Sequence, residues 1–276
     1  MGTLGRTWQL YQQSFRVLSA DTEILLFPVL SAVASVLVAA SVFVPFFRAG
    51  TLASLQDGGA DAATYGVLFL WYYLNFIVVV FFNSALVACA DIRLKGGDPM
   101  ASDGLRAALG KLPRIAAWAF VAATVGLVLR ALTNRRGFLV RLLGAGLSIG
   151  WALITYLIVP VLILEDVGVV EAIERSSALF RKHWGEQVAG SFGFGILNLV
   201  LCVPGLLIGA LLYRVVDPPA GIIFGLAYLL ILAAVLSALR GIFTAALYRY
   251  AVEGVPPAGF SADALTPGVM TPGVRS

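Results

Sequence analysis

Charged side chains are scarce in this sequence, and that scarcity argues against a water-soluble globule. Lys, Arg, Asp and Glu make up 12% of the residues, against roughly 25% in an ordinary soluble domain. Hydrophobic residues make up 60%. A chain of this composition belongs in a membrane, so the lipid bilayer is its first predicted partner.

Residues suited to metal binding and redox chemistry are also few. The chain has one histidine and two cysteines, Cys89 and Cys202, which lie far apart in apolar stretches and form no CxxC pair. No nucleophile with a neighbouring base, phosphate-binding glycine loop or metal-ligand cluster is present. We therefore predict a protein that is not an enzyme, with no catalytic residues, metal ligands or cofactors. Its scattered basic residues favour no nucleic-acid partner.

Six apolar stretches have the length of a membrane span. About 20 apolar residues in a helix cross the ~30 Å hydrocarbon layer. A backbone in lipid must satisfy its own hydrogen bonds, and these stretches are too long and uniformly apolar for barrel strands. We predict an all-α polytopic integral membrane helical bundle, with about six transmembrane helices at residues 23–47, 65–90, 115–132, 138–164, 187–213 and 221–251.

Basic residues near the ends of these spans indicate the orientation. With the N-terminus in the cytoplasm, twelve Lys and Arg residues fall on inner segments and four on outer loops. The sequence therefore predicts a multi-pass membrane protein with both termini in the cytoplasm. The Arg135–Arg136 pair on an outer loop is the main evidence against this orientation, and its connection is either a tight turn or a join between helices that do not fully cross.

A short amphipathic segment precedes each pair of spans, at residues 3–19, 102–112 and 166–184. In the first, an apolar stripe recurs at helical spacing beside polar residues, which is typical of a helix lying in the membrane interface. The predicted organisation is three repeats of an interfacial helix plus a transmembrane hairpin within one transmembrane domain, residues 1–253, followed by a disordered cytoplasmic tail, residues 254–276. The stripe of the first segment comprises Leu4, Trp8, Tyr11, Phe15 and Leu18.

The third segment is the most charged part of the chain, in the stretch ILEDVGVVEAIERSSALFRKHW. Asp166 stands where a helix N-cap is expected, and Glu171 falls in the first turn. Glu171 and Arg175 are four residues apart in the order that favours an ion pair. These two residues are candidate functional polar residues, although the same charges also suit the solvated face of a surface helix.

Four further candidates lie at or within the ends of spans. Glu165, Asp91 and Glu253 each follow an apolar run at the predicted inner boundary, and they either terminate their helices or form a ring of carboxylates around a cytoplasmic opening. Arg240 lies well within the sixth apolar stretch. It either extends to the inner interface or faces a carboxylate, carbonyl groups or water inside the bundle.

Glycine and proline positions suggest how the spans pack. Three glycine pairs at a spacing of four predict close approach between helices. Pro28, Pro160 and Pro204 predict kinks in their spans, which are tolerated within a bundle and point only weakly to a transport path. The glycine pairs are Gly146 and Gly150, Gly205 and Gly209, and Gly221 and Gly225.

The charged stretch resembles a phrase that recurs in a loose group of six-span bacterial and archaeal membrane proteins. That group includes families of unknown function and the membrane domain attached to some glycerophosphodiester phosphodiesterases. The resemblance implies the fold and a location in the bacterial cytoplasmic membrane. It implies no activity, because the phosphodiesterase catalytic domain is absent here. The matching positions are Glu165, Gly168, Glu171, Ala172, Ile173, Arg175, Ser176, Leu179 and Trp184.

Three hypotheses for function follow. The first is a permease-like or accessory protein that moves or organises a lipid or small solute, for which Arg240 and the boundary acids would approach one cavity. The second is a membrane scaffold that partners another complex or itself through exposed apolar surface on the amphipathic helices. The third, an intramembrane lipid enzyme, requires titratable groups clustered at one depth, and the sequence has few.

Overall fold

A computed structural model describes residues 3–48, 62–133, 138–184 and 193–261, together with Leu265. Nearly all of this described part is helical, and no strand occurs in it. The all-α prediction is therefore confirmed. The arginine-rich connection at 134–137 and the start of the predicted fifth span, at 185–192, lie outside the described residues.

Three times along the chain, a short helix precedes long apolar helices. The first set is α1 (Thr3–Ala20), a 3₁₀ turn (Thr22–Leu25), α2 (Leu26–Arg48) and α3 (Ala62–Leu94). The second set is α4 (Ala101–Gly110), α5 (Leu112–Thr133), and a helix in two parts, α6 (Phe138–Ile154) and α7 (Ile158–Leu164). The third set is α8 (Val169–Trp184), α9 (Gly193–Val215) and α10 (Pro218–Glu253).

Five of these apolar segments are long enough to cross a membrane: Thr22–Phe47, Ala62–Leu94, Leu112–Thr133, Leu139–Leu164 and Pro218–Glu253. They overlap five of the six predicted spans. The other predicted span, at residues 187–213, overlaps α9, in which Val200–Val215 forms a shorter apolar helix. The chain is thus a helical membrane protein, as its composition predicts.

The chain divides into two compact units. The first unit comprises residues 1–28, 89–100 and 178–276, and the second comprises residues 29–88 and 101–177. The single transmembrane domain at residues 1–253 stays a prediction.

In the first unit, α9 and α10 form a closely packed hairpin, and glycines allow the approach. A Cβ atom at Gly205 would overlap the ring of Tyr228, whose hydroxyl donates to the carbonyl of Leu201 at 2.8 Å. A Cβ at Gly221 would overlap the backbone of Tyr213. Close approach at these glycines is as predicted.

The Gly146 and Gly150 pair was expected to allow a close approach in the same way, and this expectation is wrong for the described residues. A Cβ at either position would meet nothing within 4 Å. Gly144, two residues earlier, faces Thr133 of α5 instead. One contact between α5 and α6 is therefore made close to the end of α5, at Thr133.

Aromatic side chains hold the second unit together. The rings of Trp118 in α5 and Trp151 in α6 stack with centroids 5.9 Å apart. Tyr73 of α3 packs edge-on against Phe120 of α5 and donates its hydroxyl to the carbonyl of Ala116 at 3.2 Å. These contacts link α3, α5 and α6, and the Tyr73 hydroxyl has a hydrogen-bond partner in the same unit.

Each of the three short helices buries a small side chain. In α1 the buried face is centred on Ser14 and includes Leu10 and Leu18. Ala108 in α4 and Ser176 in α8 are fully buried. A small buried side chain leaves room for a neighbouring element to pack against the helix.

The predicted apolar stripe of α1 is only partly correct. Tyr11 and Leu18 are buried, but Trp8 and Phe15 are exposed, and the side chain of Leu4 is outside the described part. The buried face lies to one side of the stripe because α1 packs through Ser14. Trp8 and Phe15 consequently form an exposed aromatic flank.

The predicted disordered tail is also partly wrong. Phe260 and Leu265 are buried, and Gln13 of α1 donates its amide N–H to the hydroxyl of Ser261 at 3.0 Å. Two large apolar side chains in a segment otherwise rich in Pro and Gly give it enough burial to hold it in place. The rest of the tail lies outside the described residues.

The fourth span is interrupted at residues 155–157, between α6 and α7. Pro160 explains the interruption, because proline has no N–H and its ring excludes the carbonyl four residues earlier. The break frees the carbonyl of Ile154 and the N–H of Leu157. Ser176 of α8 satisfies both, since its hydroxyl donates to Ile154 at 2.7 Å and accepts from Leu157 at 3.2 Å.

Replacing Ser176 with Ala is expected to destabilise the protein by roughly 1–3 kcal/mol, because two buried backbone groups lose their partner. Thermal unfolding in detergent micelles measures the effect. Ser177→Ala is the matched control, since Ser177 is half-buried and makes neither bond. Equal melting temperatures for the two variants would contradict the assignment.

Candidate functional site

Asp91 and Glu253 meet in the first unit, and Arg249 joins them. The guanidinium of Arg249, in the last turns of α10, donates to Asp91 Oδ1 at 3.0 Å and to the two carboxylate oxygens of Glu253 at 2.6 and 2.8 Å. Lys95 Nζ donates to Asp91 Oδ2. The ends of α3 and α10 are therefore tied by a four-residue ion network.

The network has a buried centre and a solvent-exposed edge. The Asp91 and Arg249 side chains are 6% and 11% exposed, whereas those of Lys95 and Glu253 are 57% and 45% exposed. Sequence analysis did not single out Arg249 as a partner. Its spacing of four residues from Glu253 is a usable signal, but nothing local connects it to Asp91, which is 158 residues away.

A second arginine fastens α1 to the end of α3 in the same unit. Arg93 donates through Nη2 to the carbonyl of Ala20, the last residue of α1, and through Nη1 to the carbonyl of Gly97 at 3.2 Å. It also pairs with the exposed Asp98 at 3.3 Å. A cation at the C-terminal end of a helix meets unpaired carbonyls and the negative end of the dipole.

Asp21, directly after α1, is a buried acid that sequence analysis overlooked. Desolvation raises the pKa of this carboxyl above its usual value, and the positive charge of Arg93 opposes that shift. Its Oδ2 atom is buried and has no hydrogen-bond partner among the described residues. Asp21 is therefore the boundary acid whose ionised form is least well compensated.

Glu165 lies in the second unit, where it ends α7. Arg175 Nε donates to Glu165 Oε1 at 3.3 Å, and Lys111 Nζ donates to the Glu165 carbonyl at 3.3 Å. Arg175 is thus engaged by Glu165, and its predicted pair with Glu171 does not form. Glu171 is exposed in the first turn of α8 and makes no ion pair within the described part of the chain.

Asp166 is not the N-cap that its position predicted. The helix begins three residues later, at Val169, and the Asp166 carboxylate instead binds two cations. Lys111 Nζ lies 2.8 Å from Oδ1, and Arg114 donates to the same oxygen. These hydrogen bonds lower the Asp166 pKa to about 2. Lys111 and Arg114 at the α4–α5 junction are in this way connected to the start of α8.

Arg240 takes no part in either group of ion pairs. It is exposed on α10 and makes no ion pair with any described residue. Its charge acts on the hydroxyl of Tyr11, in α1, which packs against α10. The structure therefore brings Asp91 and Glu253 together without Arg240.

The carboxylates at these helix ends are paired with cations. Asp91 and Glu253 bind Arg249, and Glu165 binds Arg175. No group of three His, Cys, Asp or Glu side chains suited to a metal ion forms among the described residues. A groove of about 470 Å³ between α9 and α10 is lined mainly by glycine and apolar side chains, and no candidate residue lines it.

Comparison with known proteins adds a family and no activity. The model described as "Family of unknown function (DUF6159)" matches residues 62–259, from α3 into the tail. No curated protein and no solved structure matches the chain. The match agrees with the expected resemblance to families of unknown function, and gives no support to the resemblance to glycerophosphodiester phosphodiesterase membrane domains.

Asp91→Asn is expected to cost about 1.5–3 kcal/mol of stability, because Arg249 loses the charge of its buried partner while it keeps its pair with Glu253. Glu253→Gln, which removes a half-exposed partner of the same arginine, is expected to cost ~1 kcal/mol or less. Thermal unfolding in micelles compares the two variants. A cost for Glu253→Gln that equals that of Asp91→Asn would show that the buried pair is not the centre of the network.

Asp21 should make stability fall as pH rises. Its pKa in the folded protein exceeds its ordinary value of about 4, so between those two values the folded state binds more protons than the unfolded state. Asp21→Asn removes this pH-dependent contribution to stability. The melting temperature of the variant should therefore rise relative to that of the wild type as pH is raised from about 3 toward 7. Asp98→Asn, which removes an exposed carboxylate beside the same Arg93, is the control. Parallel curves for the two variants would contradict the assignment.

Proposed function

The chain belongs to DUF6159, a family of unknown function, and on that premise we propose that it organises anionic lipid at the inner face of a bacterial cytoplasmic membrane. In this proposal it is an accessory protein rather than an enzyme. Both termini lie in the cytoplasm, which the excess of Lys and Arg on the inner segments supports.

Exposed apolar side chains on the short helices are the observation that carries the proposal. Trp8 and Phe15 of α1, Leu109 of α4 and Val170 of α8 are all exposed, although each helix also carries charge. A helix that buries one face in protein and shows large apolar groups beside charged ones is suited to the membrane interface. Three such helices along one chain support a role at the membrane surface.

The state of the boundary acids points in the same direction. A transport pathway that used Asp91, Glu165 and Glu253 would need them to exchange partners with a solute or proton. Each is bound instead to an arginine, and Asp91 is bound to Lys95 as well. Ion pairs of this kind support a role in holding helix ends together.

A permease-like role is the second candidate, and the interruption of the fourth span favours it. Broken helices are where many transporters build their binding sites. In this chain the two backbone groups freed by the break are both bound to Ser176. A solute would have to displace that hydroxyl, which makes this candidate the weaker of the two.

Reconstitution of the full chain into phosphatidylcholine vesicles with phosphatidylglycerol tests the proposal. Spin-labelled forms of the two lipids report which one is enriched next to the protein, and dithionite quenching of fluorescent phosphatidylglycerol reports movement between leaflets. We expect enrichment of phosphatidylglycerol without movement between leaflets. Rapid movement would favour the permease-like role, and no enrichment of either lipid would overturn the proposal in favour of a scaffold.

Orientation is checked on the same protein in spheroplasts. A single cysteine at the exposed Val216, in a chain with Cys89 and Cys202 replaced by Ala, should react with a membrane-impermeant thiol reagent from outside. Labelling of Val216→Cys only after permeabilisation would reverse the assigned orientation.

A further inference from the structure

Arg240 differs from the other arginines that lie in or at the ends of α3 and α10. Arg93 and Arg249 are each held by a carboxylate and are largely buried. Arg240 is exposed and makes no ion pair with a described residue. An uncompensated guanidinium next to an apolar run requires an external anion or water.

The position of Arg240 along α10 sets its depth. The apolar run that precedes it, residues 221–239, has a helical length of roughly 28 Å, which matches the ~30 Å hydrocarbon layer. Beyond Arg240 the helix becomes buried in protein, at Ile242, Phe243 and Ala246 among others. Arg240 therefore lies where α10 leaves the hydrocarbon and enters the protein core, at the depth of lipid phosphate groups.

The aromatic flank of α1 belongs to the same unit, and α1 packs against α10. Tyr11 of α1 is close enough to Arg240 for its hydroxyl to feel the charge of the guanidinium. Trp8 and Phe15, three residues before and four residues after Tyr11, are exposed. Ser237, one turn before Arg240 on α10, is exposed as well. The Arg240 guanidinium, the Ser237 hydroxyl and the two exposed rings therefore lie on two helices that pack against each other.

We propose that Arg240 and Ser237, together with the aromatic flank formed by Trp8 and Phe15, bind the phosphate and glycerol region of an anionic phospholipid in the inner leaflet. Arginine suits this ligand because its planar fork binds two phosphate oxygens at once. Tryptophan and phenylalanine suit the boundary between headgroup and acyl chain. The proposal rests on the proposed function and names a site for it.

Trp8 provides a local probe of this site. Brominated lipids quench tryptophan on contact, and the difference between wild type and Trp8→Phe isolates Trp8 from the other four tryptophans. In mixed vesicles, brominated phosphatidylglycerol should quench Trp8 more strongly than brominated phosphatidylcholine. The wild-type preference for phosphatidylglycerol should be about fivefold, the size expected for one basic residue at an anionic surface. Arg240→Gln should abolish this preference.

Arg16→Gln is the matched control, because Arg16 is an exposed arginine on the same helix, about 100° around it from Phe15, and its loss changes net charge equally. The preference at Trp8 should survive in this variant. Arg240→Lys should restore only part of it, since lysine keeps the charge but lacks the bidentate fork. If Arg240→Gln does not fold, a reduced preference in Arg240→Lys and an unchanged one in Arg16→Gln show that the Trp8 preference depends on Arg240. An unchanged preference in Arg240→Lys overturns the site.

The outcomes separate this inference from the proposed function. A Trp8 preference that persists in Arg240→Gln overturns the site, while phosphatidylglycerol enrichment around the wild type still supports lipid organisation. Absence of that enrichment overturns the proposed function itself. Stabilisation of the detergent-solubilised wild type by inorganic phosphate, lost in Arg240→Gln and without any lipid preference in vesicles, would identify free phosphate as the ligand and overturn the lipid assignment.

Discussion

Hydrocarbon offers no hydrogen-bond partner to a peptide group, and this constraint shapes the described structure. Every long apolar stretch is helical, and exceptions are compensated by side chains. At the Pro160 break, Ser176 bonds both freed backbone groups. At two helix ends, a cation approaches the final carbonyls: Arg93 binds Ala20 and Lys111 binds Glu165. Polar residues are few in this chain, and these are placed where the helical backbone is interrupted or ends.

Buried charged groups are subject to the same constraint, and ion pairs satisfy it. Burying one ionised carboxylate is costly, so Asp91 lies beside Arg249, and Arg249 in turn holds Glu253. Such a pair adds little net stability compared with apolar packing, but it is costly to break. Removing either partner would leave a buried charge, so the pair favours the arrangement in which the end of α10 meets the end of α3. Asp21 is less well compensated, and the pKa of its carboxyl is raised accordingly.

Composition and periodicity predicted the helices, because the length of a span and its apolar content are local properties. They could not predict partners that depend on which helix ends meet. The acids at the boundary were identified, yet the arginine that joins two of them is Arg249 and not the more conspicuous Arg240. The packed face of α1 was misplaced because Ser14, a small polar residue, carries no apolar signal although it allows the closest approach. Phe260 in the tail did carry such a signal, and its burial follows from it.

Which charged side chains are paired, and which are not, connects the fold with the proposed role. Within the described residues, the acids at the ends of α3, α7 and α10 are bound to cations, so these groups are committed to holding helices together. A mechanism that moves solutes needs polar groups that change partners, whereas a protein that organises lipid needs a stable frame with uncommitted surface. Arg240 makes no ion pair within the described part of the chain, and Trp8 and Phe15 are exposed on α1, which packs against α10. The ion pairs therefore hold the helix ends, and in the proposed role these exposed side chains are the surface that remains for lipid.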